Sequence, residues 1–129
     1  MPISKAKVVR EVLLAFARVH ILHHAAEGPV YGAGMMEELS RHGYRIGPGT
    51  LYPLLRRLFE DGLLSVQTEV VAGRRRKYYS ITRKGCVALE SLRPKLTELA
   101  DEVLTETPKR QLARSRAPRR PARATPGTR

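Results

Sequence analysis

The chain has 129 residues, about the length of one domain, and its 24 Lys and Arg against 12 Asp and Glu give it a formal charge of +12. That excess favours a polyanionic partner such as nucleic acid, and the single cysteine, Cys86, excludes an intramolecular disulfide framework. No apolar run reaches the roughly 18 residues of a membrane-spanning helix and no secretory signal is recognisable, so we expect a cytoplasmic protein without a membrane partner.

Three helices are predicted in the first half of the chain. Apolar residues at helical spacing predict the first helix over residues 5–26, and Gly28 and Pro29 end it. The second helix is predicted over residues 31–41. The third, over residues 48–61, has an apolar face that consists of four leucines, Leu51, Leu54, Leu55 and Leu58.

The pattern then changes from helical to alternating, which predicts a two-stranded hairpin. Residues 64–70 and 76–81 alternate on either side of a turn at residues 72–74. Thr82 is a good N-cap for a last helix over residues 83–106. We expect Cys86, near the start of this helix, to be a small buried apolar side chain.

The last helix carries apolar residues in a heptad pattern, with spacings of 3, 4, 3 and 4. We interpret this seam, together with the apolar face of the first helix, as a homodimer interface formed by Val8, Val12, Phe16, Leu89, Leu92, Leu96, Leu99 and Val103. The alternative is an amphipathic helix that packs on the core of its own protomer. Pro94 lies within the seam and predicts a kink.

The positive charge is concentrated at the C-terminal end. Residues 107–129 hold eight Lys and Arg and no acid, and most of the other residues are Pro, Ala and Thr. Such a segment cannot bury enough apolar surface to fold, so a disordered basic tail is predicted. It either adds a sequence-independent attraction to nucleic acid or serves only as a solubilising extension.

This order of elements is typical of a mainly α protein with a small β-hairpin, namely a winged helix-turn-helix followed by a C-terminal dimerisation helix. The predicted parts are a DNA-binding domain (1–82), the dimerisation helix (83–106) and the tail (107–129). In this fold the third helix enters the major groove with its N-terminus first, and Gly47 and Gly49 permit a close approach. The candidate base and phosphate contacts on this helix are Thr50, Tyr52, Arg56 and Arg57. In the alternative, Tyr52 caps the edge of the core and both arginines are merely solvated.

Four adjacent cations, Arg74, Arg75, Arg76 and Lys77, fall at the hairpin tip and the start of its second strand. They repel one another, and a nearby polyanion is the simplest compensation. We therefore predict that the wing contacts the minor groove or flanking phosphates, the alternative being a solvated loop.

Metal binding and catalysis find little support in the pattern. His20, His23, His24 and Glu27 form two i,i+4 pairs, but the pairs diverge around the helix and no further ligand cluster completes a tetrahedral set. We expect ordinary helix-face histidines and no metal or cofactor. No nucleophile–base set, phosphate-binding glycine loop or paired-carboxylate signature is present, so we do not expect an enzyme.

Three collinear stretches carry a family resemblance: "ILHHAAEGPVYGAGMMEEL", "GYRIGPGTLYPLLRRLFEDGLL" and "GRRRKYYSITRKG". Over roughly residues 8–92 the chain resembles PadR-type transcriptional regulators. The resemblance implies a homodimeric winged-helix repressor that binds a pseudo-palindromic operator and releases it when a small effector binds. It also implies DNA contacts at Tyr31, Thr50, Tyr52, Arg56 and Arg74–Lys77. Pro94 and the basic tail depart from the family pattern.

Two other functions compete with this one. The basic tail would suit an architectural DNA-binding protein with little sequence preference, and a winged-helix scaffold can also serve as a protein–protein adaptor. The strength and salt dependence of binding to a defined palindrome would separate the three.

Overall fold

A computed structural model describes residues 5–105, so the predicted tail at residues 107–129 lies outside the described residues. In chain order the elements are α1 (Lys5–Glu27), β1 (Val30–Tyr31), α2 (Gly32–Arg41), α3 (Pro48–Glu60), β2 (Leu64–Val71), β3 (Arg74–Ile81) and α4 (Arg83–Leu104). The predicted fold class, mainly helical with a small antiparallel sheet, is confirmed. None of the described helices is long and apolar enough to span a bilayer.

The sheet has three strands rather than two, in the order β1-β3-β2. Val30 pairs with Tyr79 and Tyr31 with Tyr78, so Tyr31 ends a strand instead of beginning a helix as the sequence had suggested. Gly32 is the first residue of α2. A two-residue strand is too short to show an alternating pattern, which explains why the sequence did not reveal it.

The hairpin that forms the wing is in regular register from Leu64 opposite Ile81 to Val71 opposite Arg74. Its loop is the pair Ala72 and Gly73, and both have positive φ, 52° and 78°. Two such residues match a type I′ turn, whose twist suits antiparallel strands. Because the turn ends at Gly73, the run of cations begins at the first residue of β3, Arg74.

The core lies where α1, α2, α3 and the sheet meet. It includes Ile21 from α1, Met35 and Leu39 from α2 and the four predicted leucines of α3. Leu89 of α4 is only 5% exposed and belongs to this core, so its assignment to the dimer seam is wrong. A heptad pattern records apolar spacing alone and does not distinguish a protomer's own core from a partner.

The start of α4 is tied to the end of α3 through Thr82, as its predicted N-cap role requires. The Thr82 hydroxyl accepts a hydrogen bond from the Gly85 amide (3.0 Å) and donates one to the Gly62 carbonyl (2.6 Å). A Cβ added at Gly85 would lie 2.6 Å from Ile81 Cγ1, so this first turn packs tightly. Leu89, one turn further along α4, is buried in the core.

The rest of α4 is exposed among the described residues. Leu92, Leu96, Leu99 and Val103 have between 37% and 50% of their surface accessible, and Cys86 is exposed, contrary to the expectation of a buried thiol. The chain divides into two compact units after Leu92. The helix continues through Pro94 to Leu104, and the kink remains a prediction.

Candidate nucleic-acid interface

A groove of about 930 Å³ opens between α3, the wing and the start of α2. It brings together seven of the predicted DNA-contacting residues, Tyr31, Tyr52, Arg56, Arg74, Arg75, Arg76 and Lys77. The five cations come from two elements that are well separated in sequence. A single acid, Glu60, is found among the lining residues of this groove, which we call the wing groove. The groove therefore concentrates positive charge beside a half-exposed tyrosine.

Tyr52 is positioned by a glycine at the start of α2. It is 45% exposed, and its ring lies directly over Gly32, where an added Cβ would be only 2.5 Å from the hydroxyl. Gly32 leaves room that any other residue would fill. The contact between Gly32 and Tyr52 joins two helices, so no local sequence pattern predicts it.

Arg56 is held by an acid that the sequence analysis did not single out. Its Nε donates to Glu60 Oε2 at 3.0 Å, one turn further along α3, and both side chains are more than half exposed. The i,i+4 spacing was a readable signal for this pair. In solvent such an ion pair contributes little to stability, so Arg56 can exchange Glu60 for another anion at small cost.

Arg76 is the one member of the cation run that packs against aromatic rings. Its guanidinium carbon lies 4.2 Å from the centre of the Tyr31 ring, and Tyr31 meets Tyr78 edge to face at 5.8 Å. A side-chain hydrogen bond to Tyr78 raises the pKa of Arg76. Strand β1 thus provides the platform on which this arginine rests, whereas Arg74, Arg75 and Lys77 are exposed.

Thr50 and Arg57 lie outside the lining of the wing groove. The Thr50 hydroxyl instead accepts a long hydrogen bond from Arg10 of α1, at 3.4 Å. Arg57 is exposed on α3. The N-cap of α3 is Gly47, which has no side chain to cap the helix, and a Cβ added at Gly47 or Gly49 would meet nothing within 4 Å. The start of α3 is therefore open to an approaching ligand.

Burial affects one further tyrosine of the wing groove. Tyr79 is 6% exposed, and burial, with a smaller contribution from Tyr52, raises its pKa.

Comparison with known proteins decides the family. Residues 21–91 match the "Transcriptional regulator PadR-like family". The chain belongs to the PadR-like family of transcriptional regulators. It is 55% identical over 96 residues to the transcriptional regulator Rv3488 of Mycobacterium tuberculosis, a match that covers 74% of this chain and 90% of the relative.

Solved PadR-like structures have the same fold. The PadR-like transcription factor of Bacteroides fragilis is 31% identical, with a TM-score of 0.66 over 77% of this chain and 97% of the other. The PadR-like regulator of Bacillus cereus is 29% identical, with a TM-score of 0.68 over 74% and 94% of the two chains. The sequence-based resemblance to PadR-type regulators is thus confirmed.

Proposed function

We propose that this PadR-like regulator is a homodimeric repressor that binds a pseudo-palindromic operator and leaves it when a small effector binds. The observation that supports this function best is the wing groove, which joins cations of α3 and of the wing beside Tyr52. A winged helix-turn-helix contacts DNA with these two elements. The proposal assigns the DNA contacts to Tyr31, Thr50, Tyr52, Arg56, Arg57 and Arg74–Lys77.

The proposed contacts are of two kinds, those that read base edges and those that hold the DNA backbone. Arg56 lies on the exposed face of α3, where a guanidinium can form two hydrogen bonds to a guanine edge. Tyr52 donates its hydroxyl to a phosphate, and the three exposed wing cations neutralise further phosphates. Arg76 is held against Tyr31, so these two side chains contact the DNA together.

Two apolar stripes support a dimer. Val8, Val12 and Phe16 of α1 are 42–46% exposed and follow one another at four-residue spacing. On α4 the exposed stripe consists of Leu92, Leu96, Leu99 and Val103. Side chains of this kind in a contiguous row mark an interaction surface rather than a solvated face. A second copy would cover both stripes and set the two α3 helices about one DNA turn, 34–36 Å, apart.

Effector release requires a site for a small molecule. An apolar groove of about 490 Å³ lies beside α1, lined by Val9, Leu13, Leu14, Tyr44 and Ile46 among others. Its volume falls within the usual range for small-molecule sites. A ligand there that prefers one spacing of the α3 helices would shift the dimer away from the DNA-binding state.

The experiment is a binding titration on a selected operator and on a mixed-sequence duplex at several salt concentrations. Arg56→Ala is expected to weaken operator binding and relax the preference at one base position by about 1–3 kcal/mol. Arg57→Ala is the matched comparison, because Arg57 lies outside the wing groove and is assigned to a phosphate; it should weaken binding to both duplexes alike and leave the base preference unchanged. Equal loss on all sequences would make Arg56 a phosphate contact.

The same titration tests the competing functions. An architectural protein would bind both duplexes alike with a steep salt dependence, and an adaptor would bind neither. Leu96→Glu should give a monomer that loses operator binding but keeps its fold. A dimer that survives this change would contradict the proposed interface.

A further inference from the structure

All four histidines of the chain lie together where α1 meets the end of α2. His20, His23 and His24 belong to α1, and His42 follows the last residue of α2. The His20 and His42 rings stack with their centres 4.5 Å apart, and those of His24 and His42 are 5.6 Å apart. The function proposed above uses none of these side chains.

Three ligand atoms converge within this group. One nitrogen from each of His24 and His42 and one carboxylate oxygen of Glu38 lie within 4.8 Å of one another. Glu38 and His42 are four residues apart at the C-terminal end of α2, so they point the same way. His24 approaches them from α1. The set therefore spans two helices, unlike the single-helix pairs that the sequence displayed.

His24 has an unsatisfied nitrogen aimed at this point. Its Nε2 is buried without a hydrogen-bond partner among the described residues, and Glu38 Oε2 lies 4.0 Å away. That distance is too long for a hydrogen bond. A buried polar atom left unpaired is costly and calls for a partner that the protein itself does not supply.

Two of these three side chains, His24 and Glu38, have further partners that help to orient them. Glu27 Oε1 lies 3.5 Å from His24 Nδ1, and Arg41 donates to Glu38 Oε1 at 2.6 Å. Outer partners of this kind fix the ring and the carboxylate of metal ligands. His24 Nε2 and Glu38 Oε2 are thereby left facing each other.

We propose that His24, Glu38 and His42 form a binding site for a divalent transition-metal ion such as Zn²⁺, with a fourth position open to water. Two imidazoles and one carboxylate suit such an ion, whereas Mg²⁺ and Ca²⁺ prefer oxygen ligands alone. Bonds of about 2.0–2.1 Å around a tetrahedral Zn²⁺ place ligand atoms about 3.3 Å apart. The site must close by roughly 1 Å, and exposed His42 can swing inward to do so. The ion would hold the turn that leads into α3 against α1.

The test is calorimetric titration of the tag-free full chain with ZnCl2, with Co²⁺ absorption as a second readout. We expect one ion per chain and a visible Co²⁺ spectrum of four-coordinate type. His42→Ala and Glu38→Gln should each weaken Zn²⁺ binding at least tenfold. His42 is exposed, and Glu38→Gln changes the charge but hardly the shape of a half-buried side chain. Both variants should therefore keep the fold, and their unfolding temperatures without metal check this.

His23→Ala is the matched control, because it removes a histidine from the same group and a second trio, His23, His24 and Glu27, also lies within 4.8 Å. The proposed site predicts that His23→Ala binds Zn²⁺ like the parent. Loss of binding in His23→Ala with binding retained in His42→Ala would assign the ion to α1 alone and overturn the proposal. No measurable Zn²⁺ binding by the parent, or binding that none of the substitutions changes, would overturn it as well.

Discussion

Replacing Gly32 with alanine should weaken DNA binding while leaving the fold almost unaffected, because the added methyl group would displace Tyr52. A Cβ at Gly32 would lie 2.5 Å from the Tyr52 hydroxyl and 2.7 Å from Cζ. Ordinary carbon contacts are about 3.5–4.0 Å, so the end of the ring must move by roughly 1 Å. A rotation of about 10° about χ1 achieves this, well below the ~30° that costs about 0.5–1.5 kcal/mol.

The substitution should therefore separate stability from binding. The free energy of unfolding is expected to fall by less than about 1 kcal/mol, because the ring is half-exposed and free to turn. A hydroxyl moved by about 1 Å loses most of its hydrogen bond to a phosphate, and bonds to charged groups contribute about 1.5–3 kcal/mol. Since a factor of ten corresponds to about 1.4 kcal/mol, operator affinity should drop about tenfold or more per half-site.

Fluorescence anisotropy on a labelled operator duplex measures the affinity, and urea unfolding measures the stability. The decisive comparison is a double-mutant cycle with Tyr52→Ala. Once the ring has been removed, Gly32→Ala should cost no further affinity, because nothing remains to be displaced. If Gly32→Ala weakens binding equally with and without the Tyr52 ring, the glycine does not act through Tyr52 and the reasoning is refuted.

Two further predictions concern charge and capping. Glu60→Gln removes the acid of the wing groove and frees Arg56, so operator affinity should rise about two- to fivefold at low salt, and the gain should fade as salt is added. Glu37→Gln, outside the groove, is the control, and equal gains in both variants would mean that net charge alone is responsible. Thr82→Ala should lower the free energy of unfolding by about 1 kcal/mol in urea titrations, because it removes the N-cap of α4. Thr82→Ser keeps the hydroxyl and should retain most of the stability; similar losses in both variants would show that the methyl group matters rather than the cap.

The sequence predicted the elements that have a strong period and missed those that depend on distant contacts. The leucines of α3 repeat with the helix, and all four are buried as expected. Strand β1 has only two residues, so its pairing with β3 had no period to reveal it, and Tyr31 was assigned to a helix instead. The contact of Gly32 with Tyr52 is likewise a tertiary feature, since neither residue's neighbours predict it.

The candidate sites show the same division. The cation run of the wing was visible in the sequence because its members are adjacent. The ring on which Arg76 rests belongs to Tyr31 of β1, and the sequence did not reveal that contact. Histidines within α1 were weighed as metal ligands and set aside, because a single helix did not supply a complete set. Glu38 and His42 lie on the next element, and only the packing of α2 against α1 brings them to His24.

The apolar seam of α4 illustrates how one pattern can serve two environments. Its first member, Leu89, lies in the turns that Thr82 ties to the end of α3, and the protomer buries it. From Leu92 onward the same spacing continues among exposed residues. Helical spacing therefore does not distinguish a residue that its own protomer buries from one that is left for a partner. The exposed members Leu92, Leu96, Leu99 and Val103 are the ones that a proposed dimer interface can use, and burial in the folded protomer, which the sequence alone does not give, separates them from Leu89.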